Sequence, residues 1–118
     1  MARGRVLTKR VYDPSARADG TRVLVMRLWP RGIRKSRVDL WLRELGPVIE
    51  LLRAFRGGKV DWAEYRRRYR AGLRRPEARA QIAEVRRLAR SGTVTLLCGC
   101  PDERRCHRTL LRNYLAKA

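Results

Sequence analysis

Two periods of apolar residues run along the chain, one suited to strands and one to helices. Val6 to Val11 predicts a first strand, ended by the turn signals Asp13-Pro14 and Asp19-Gly20. Arg22-Val23-Leu24-Val25-Met26-Arg27-Leu28 follows. Its middle is apolar on both faces, the pattern of a central strand covered by helices on both sides. Pro30 and Gly32 stop it, and Arg31 to Lys35 makes a basic loop. Ser36 or Asp39 can cap a short helix through Leu45, broken by Gly46-Pro47. A second short helix is predicted from Val48 to Phe55, ended by Gly57-Gly58.

Helical periodicity then takes over. Asp61 is a good N-cap, and Trp62, Tyr65, Tyr69 and Leu73 form one apolar stripe. Helical spacing explains that stripe as core rather than as a base-stacking platform, and it leaves Arg66, Arg67, Arg70 and Arg74 toward solvent. Pro76 suits the first turn of a helix over Glu77 to Arg90, with Ala78, Ile82, Val85 and Ala89 inward. Thr93 to Leu97 reads as the third clear strand. Arg105 to Leu115 reads as the closing helix, with Leu111, Tyr114 and Leu115 for the core. The order of elements predicts a small three-layer, Rossmann-like α/β fold, an at least partly parallel sheet flanked by helices. Residues 1–118 are one domain by length, with no repeat or linker.

Charge changes the picture more than composition does. Thirty basic residues face eleven acidic ones, a net charge of +19, and with only four lysines the other 26 are arginines. Such a field attracts phosphates and binds nucleic acid at low salt with little regard to sequence. Arginine also accumulates without any dedicated partner. No apolar run approaches the roughly 18–20 residues that span a bilayer, so no membrane partner is expected. The N-terminus has no apolar signal core, which makes the cytoplasm the expected compartment.

All three cysteines and the single histidine fall in Cys98-Gly99-Cys100-Pro101-Asp102-Glu103-Arg104-Arg105-Cys106-His107-Arg108, between the last strand and the last helix. Ligands of α/β sheets bind beyond the carboxyl ends of the strands. A helix N-terminus also offers free N–H groups and partial positive charge, which favour anions and thiolates. Cys106, opening the helix beside Arg105 and Arg108, is expected to be the more acidic thiol and Cys98 the more buried one. His107, the one histidine, is the candidate proton carrier. The loop after Leu28, Trp29-Pro30-Arg31-Gly32, is the second candidate edge.

Three chemical readings compete. Zinc would need Cys98, Cys100, Cys106 and His107 to converge, but C-x-C-x5-C-H is not a standard pattern, and neighbours opening a helix point about 100° apart. No metal is therefore expected. Cys98-x5-Arg104 formally matches the phosphate loop of cysteine-dependent phosphatases, although Asp102 and Glu103 would repel a phosphate and the usual glycine is missing. In the blandest reading Cys98 is a small hydrophobe and His107 merely packs.

Lys9 to Pro14, Asp19 to Val25 and Arg27-Leu28-Trp29-Pro30-Arg31-Gly32-Ile33 together resemble the short, YeaO-like branch of the domain-of-unknown-function 488 family. The similarity continues through Glu50-Leu51 and Ala54-Phe55 to Arg68-Tyr69-Arg70-Ala71. Cys98, Cys106, His107 and Arg108 resemble instead the longer branch, where a cysteine, a glutamate and a Cys-His-Arg triplet recur at this spacing. Met26 stands where the family usually has aspartate, and Cys100 replaces the glutamate. Val48, Leu52 and Gly72 stand where the short branch often has serine, arginine and glutamate. The resemblance implies a fold and a site location, not a reaction.

The expected site combines Cys98, Cys106 and His107 as the reactive groups with Arg27, Arg31 and Arg108 for anions. It suits a small enzyme or binding protein for a phosphate-bearing, nucleotide-like ligand, its cofactor undefined. The alternatives are a nucleic-acid-binding regulator using the basic surface, or a structural protein with a decayed site.

Overall fold

The computed structural model describes residues 5–117. Strands β1 (Val6–Arg10), β2 (Thr21–Leu24) and β3 (Leu40–Trp41) come first, followed by helices α1 (Ile49–Arg56), α2 (Trp62–Gly72) and α3 (Pro76–Ser91). Strand β4 (Val94–Cys98) and helix α4 (His107–Ala116) close the chain. The sheet order is β1-β4-β2-β3, and every pairing is parallel. The α/β class is as expected, and the sheet is parallel throughout.

Strand β4, last in sequence, slots between β1 and β2, and all five of its residues are buried. That position explains why the strand carries no charge and why its one polar side chain, Thr95, is bonded internally, since a central parallel strand has no wet face. The crossover from β1 to β2, residues 11–20, must therefore clear one strand's width. It is pinned by Asp19, whose carboxylate accepts from Lys9 Nζ at 3.1 Å, from the Ala16 N–H at 2.9 Å and from Arg22 Nη1. Thr95 Oγ1 donates to the Asp19 carbonyl at 2.7 Å. Gly20 follows at φ 63°, and a Cβ there would lie 2.1 Å from the Thr93 carbonyl oxygen.

The two faces of the sheet are covered differently. Val23, Val25, Val94 and Leu96 pack beneath all four helices, against Leu51, Tyr65, Tyr69, Ile82, Val85, Leu110 and Leu111. Each such fully buried aliphatic side chain contributes about 1.5–3 kcal/mol. On the other face Leu24, Leu97 and Val11 meet Ile33, with Met26, Trp29, Val38 and Trp41 around them. That third layer is loop and 3-10 turn rather than helix. Two tryptophans make it possible, edge to face at 5.3 Å, each donating its N–H to a loop carbonyl. Trp29 Nε1 reaches Ile33 O at 2.9 Å, and Trp41 Nε1 reaches Met26 O at 2.8 Å. The Trp-Pro-Arg-Gly loop is thus a cover for the sheet.

Three element boundaries differ from expectation. Strand β2 ends at Leu24; Val25 still donates to Leu97 O at 3.0 Å, but residues 26–28 leave the sheet. No helix runs from Asp39 to Leu45. Asp39 Oδ2 accepts from the Arg22 N–H at 2.8 Å instead of capping its own turn, which draws Leu40 and Trp41 into β3 beside Val23 and Leu24. The closing helix starts at His107, because Glu103–Arg105 form a separate 3-10 turn capped by Asp102.

Candidate active site

All the strands point their carboxyl ends to one edge, and a cavity of about 390 Å³ opens there. That volume is within the range of small-molecule sites, about 300–1,000 Å³. Its floor is Cys98, Gly99, Cys106 and His107; its walls include Met26, Leu28, Pro47, Leu52, Phe55 and Tyr65. Arg27, Arg56 and Arg105 are its charged lining residues, with no carboxylate among the lining.

The reactive floor follows from how β4 hands over to α4. Cys98 lies on the helix-facing side with Val94 and Leu96, and α4 begins directly above it. Cys98 Sγ is 3.9 Å from His107 Nδ1, and His107 Nε2 is 2.6 Å from the Val25 carbonyl oxygen. A carbonyl only accepts, so Nε2 carries a ring proton, and Nδ1 is the nitrogen that faces the cysteine sulfur. Tyr69 packs on the imidazole at 5.5 Å, ending an aromatic row that runs from Phe55 through Tyr65. The stripe of α2 is core, as its spacing predicts, and Tyr65 also lines the cavity. Burial pushes both Tyr65 and Tyr69 well above the ordinary phenol range, so they stay neutral.

The thiols divide in the opposite sense to the sequence expectation. The neighbouring Cys106 side chain lowers Cys98 below its ordinary value, outweighing burial, and the Cys100 backbone adds to it. The neighbouring Cys98 side chain, together with burial, pushes Cys106 up to about 12. Cys106 does not open the helix. It is the N-cap, with extended backbone (φ −135°), it is 2% exposed, and its sulfur accepts from Arg108 Nη1 at 3.3 Å. Burial also raises Cys100, whose sulfur turns to the Asp102 and Arg105 carbonyls.

That extended backbone also removes the objection that Cys106 and His107 must diverge. The donor atoms of Cys98, Cys106 and His107 all lie within 4.8 Å of one another. These three could hold a thiophilic metal; Cys100 is not among them.

The arginines separate by role. Arg27 lines the cavity, but its guanidinium is tied to Glu44 Oε1 at 2.9 Å, Pro47 O at 3.1 Å and Gly46 O at 3.2 Å. Glu44 is held below the ordinary carboxylate range chiefly by that Arg27 bond, against burial, with Arg75 assisting. Arg108 sits behind the loop, bonding Cys100 O at 2.7 Å, and its Nε has no partner among the described residues. Arg31 is outside the cavity lining; its carbonyl accepts from Tyr12. Sequence reasoning left Arg56 and Arg105 out of the site. Arg56 ends α1 just before Gly57-Gly58.

The chain matches the family model described as the "Active DUF488-N3 subclade" over residues 6–118. It is 40% identical over 110 residues to the uncharacterized protein YeaO of Escherichia coli, covering 91% of this chain and 93% of that one. It is 34% identical over 113 residues to the uncharacterized protein Mb3100c of Mycobacterium bovis, covering 94% and 93%. The uncharacterized protein Rv3073c of Mycobacterium tuberculosis matches to the same extent. No solved structure matches it.

Proposed function

The chain belongs to the domain-of-unknown-function 488 family, and we propose that it is a small enzyme for a phosphate-bearing, nucleotide-like ligand, with Cys98 as nucleophile. The observation that carries this reading is the Cys98 sulfur facing His107 Nδ1 on the floor of a cavity. A nucleophile needs a base within reach and a third group to orient that base; here the Val25 carbonyl orients it. Arg56 and Arg105 suit a phosphate, and the wall of Leu52, Phe55 and Met26 suits a planar base. The description of the matching family as an active subclade supports the same reading.

In this mechanism the Cys98 proton moves to His107 Nδ1 and the sulfur attacks phosphorus. A sulfur–phosphorus bond forms as the bond to the leaving oxygen breaks, and that oxygen takes the proton from Nδ1. Water then attacks phosphorus and the sulfur–phosphorus bond breaks, the water's hydroxyl staying on phosphorus and its other proton passing to the Cys98 sulfur. Arg108, buried behind the loop, positions it through Cys100 O and Cys106 Sγ.

AMP and adenosine test the ligand class. AMP is expected to slow alkylation of Cys98 and to bind at least tenfold more tightly than adenosine, with Arg105→Gln removing most of that difference. Equal binding of the two, or AMP binding that leaves Cys98 unprotected, overturns the reading.

A further inference from the structure

A second concavity lies between α2 and α4, on a different part of the molecule from the cysteine site. It measures about 680 Å³ and is lined by Arg66, Arg67, Arg70, Arg74, Asn113, Tyr114 and Lys117 over a floor of Ala63 and Ala71. Helical spacing predicts only a solvated arginine face there. The packing of α4 against α2 turns that face into one wall of a groove.

Among the described residues the ion pairs hold Asp19 to Arg22, Glu44 to Arg27 and Arg75, Glu64 to Arg67 and Arg68, and Glu84 to Arg87, so Arg67 is the one groove arginine with a carboxylate partner. Arg66, Arg70 and Arg74 make no ion pair among the described residues. Arg66 and Arg70 stand at i and i+4 in α2, where like charges repel and weaken a helix, and Arg74 follows in the turn just past its end. No carboxylate lines the groove. No group lining the groove neutralises Arg66, Arg70 or Arg74, so a polyanion laid along the row would relieve their repulsion. Across from it Tyr114 is half-buried and offers part of its ring, with Asn113 beside it.

We propose that this groove binds single-stranded nucleic acid, the arginine row following the phosphates and the Tyr114 ring stacking on a base. A cationic groove that tracks the backbone, combined with an aromatic platform, is the usual means of holding a single strand. A duplex keeps its bases stacked on one another and gives Tyr114 nothing to meet. The inference goes beyond the cysteine chemistry and stands without it.

The test is fluorescence anisotropy of labelled single-stranded RNA and DNA oligonucleotides with the full chain over a range of salt. The variant Arg66→Gln/Arg70→Gln/Arg74→Gln is compared with Arg79→Gln/Arg86→Gln/Arg90→Gln, which removes the same charge from exposed positions of α3. The groove variant is expected to lose at least tenfold in affinity and to lower the salt slope by about 2, at about 0.7 for each phosphate it no longer neutralises. The α3 variant should stay within twofold. Tyr114→Leu, which keeps an apolar side chain against the core, should lose severalfold on either kind of single strand. All these positions except Tyr114 are exposed, so folding is preserved, and removing the repulsion should leave Tm unchanged or higher. Equal losses in the two arginine variants would mean net charge alone, and would overturn the assignment. So would tighter binding to duplex, or equally tight binding to an acidic polypeptide of matched charge. Failure of AMP to protect Cys98 would leave this result untouched, and the converse also holds.

Discussion

Replacing Gly20 with alanine tests how the β1–β2 crossover is held. Gly20 sits at φ 63° and ψ −135°, a region that L residues enter at a cost of about 1–3 kcal/mol. Its added Cβ would lie 2.1 Å from the Thr93 oxygen and 2.8 Å from the Thr93 carbonyl carbon. Both are backbone atoms, so neither can rotate away, and Thr93 O already accepts from the Thr21 N–H at 2.9 Å. Overpacking of that kind adds about 1–3 kcal/mol. The total, about 2–6 kcal/mol, is a large share of the roughly 5–15 kcal/mol available to a domain of this size. Gly58→Ala is the control: φ is 73° there, but nothing lies within 4 Å of the new Cβ. It should cost only about 1–2 kcal/mol for the left-handed backbone. Urea unfolding of both variants gives the comparison. If Gly20→Ala is no more destabilising than Gly58→Ala, the close approach to Thr93 is wrong.

Other outcomes follow from the same contacts. Tyr69→Phe deletes the hydroxyl that donates to Leu45 O at 2.6 Å and should cost about 1–3 kcal/mol in urea unfolding, because a buried carbonyl loses its partner. Asp19 is held below the ordinary carboxylate range: burial opposes this, but the Ala16 N–H, Lys9 and Arg22 outweigh it. Asp19 and Glu44 therefore contribute stability that is present above the unfolded carboxylate pKa and lost as pH falls through their lowered folded values. Acid titration of the urea midpoint should show that loss, and Glu44→Gln should reduce it; an unchanged acid limb would contradict the assignment. A chelator should leave alkylation of Cys98 in the purified chain unchanged, whereas protection that a chelator removes would mean a metal on Cys98, Cys106 and His107.

Much of this architecture is legible in the sequence alone. The run Val94 to Cys98 is apolar apart from Thr95 because β4 is central, and the α2 and α3 stripes are core because each helix covers the sheet on one side. The location of the site is legible for the same reason: strand ends and helix starts meet at Cys98 and His107. What stays hidden depends on non-local partners. Asp39 reads as a helix cap until the Arg22 N–H is brought beside it, and the two-residue β3 carries no period of its own. The thiol order is hidden because it depends on Cys106 being extended rather than helical, which turns its sulfur inward toward Cys98 and Arg108. Arg27 looks like an anion ligand in sequence, and only the fold shows Glu44 and two carbonyls already occupying it.

The most direct test of the proposed chemistry is the order in which the three thiols of the reduced, native chain react with iodoacetamide near neutral pH, read by peptide mapping. Cys98 is expected to be alkylated first and Cys106 last, because the adjacent Cys106 side chain lowers Cys98 while Cys98 and burial raise Cys106. His107→Ala should slow Cys98 toward the rate of Cys106, while its circular dichroism confirms that the fold is kept. Faster labelling of Cys106, or equally slow labelling of all three, would contradict Cys98 as the nucleophile.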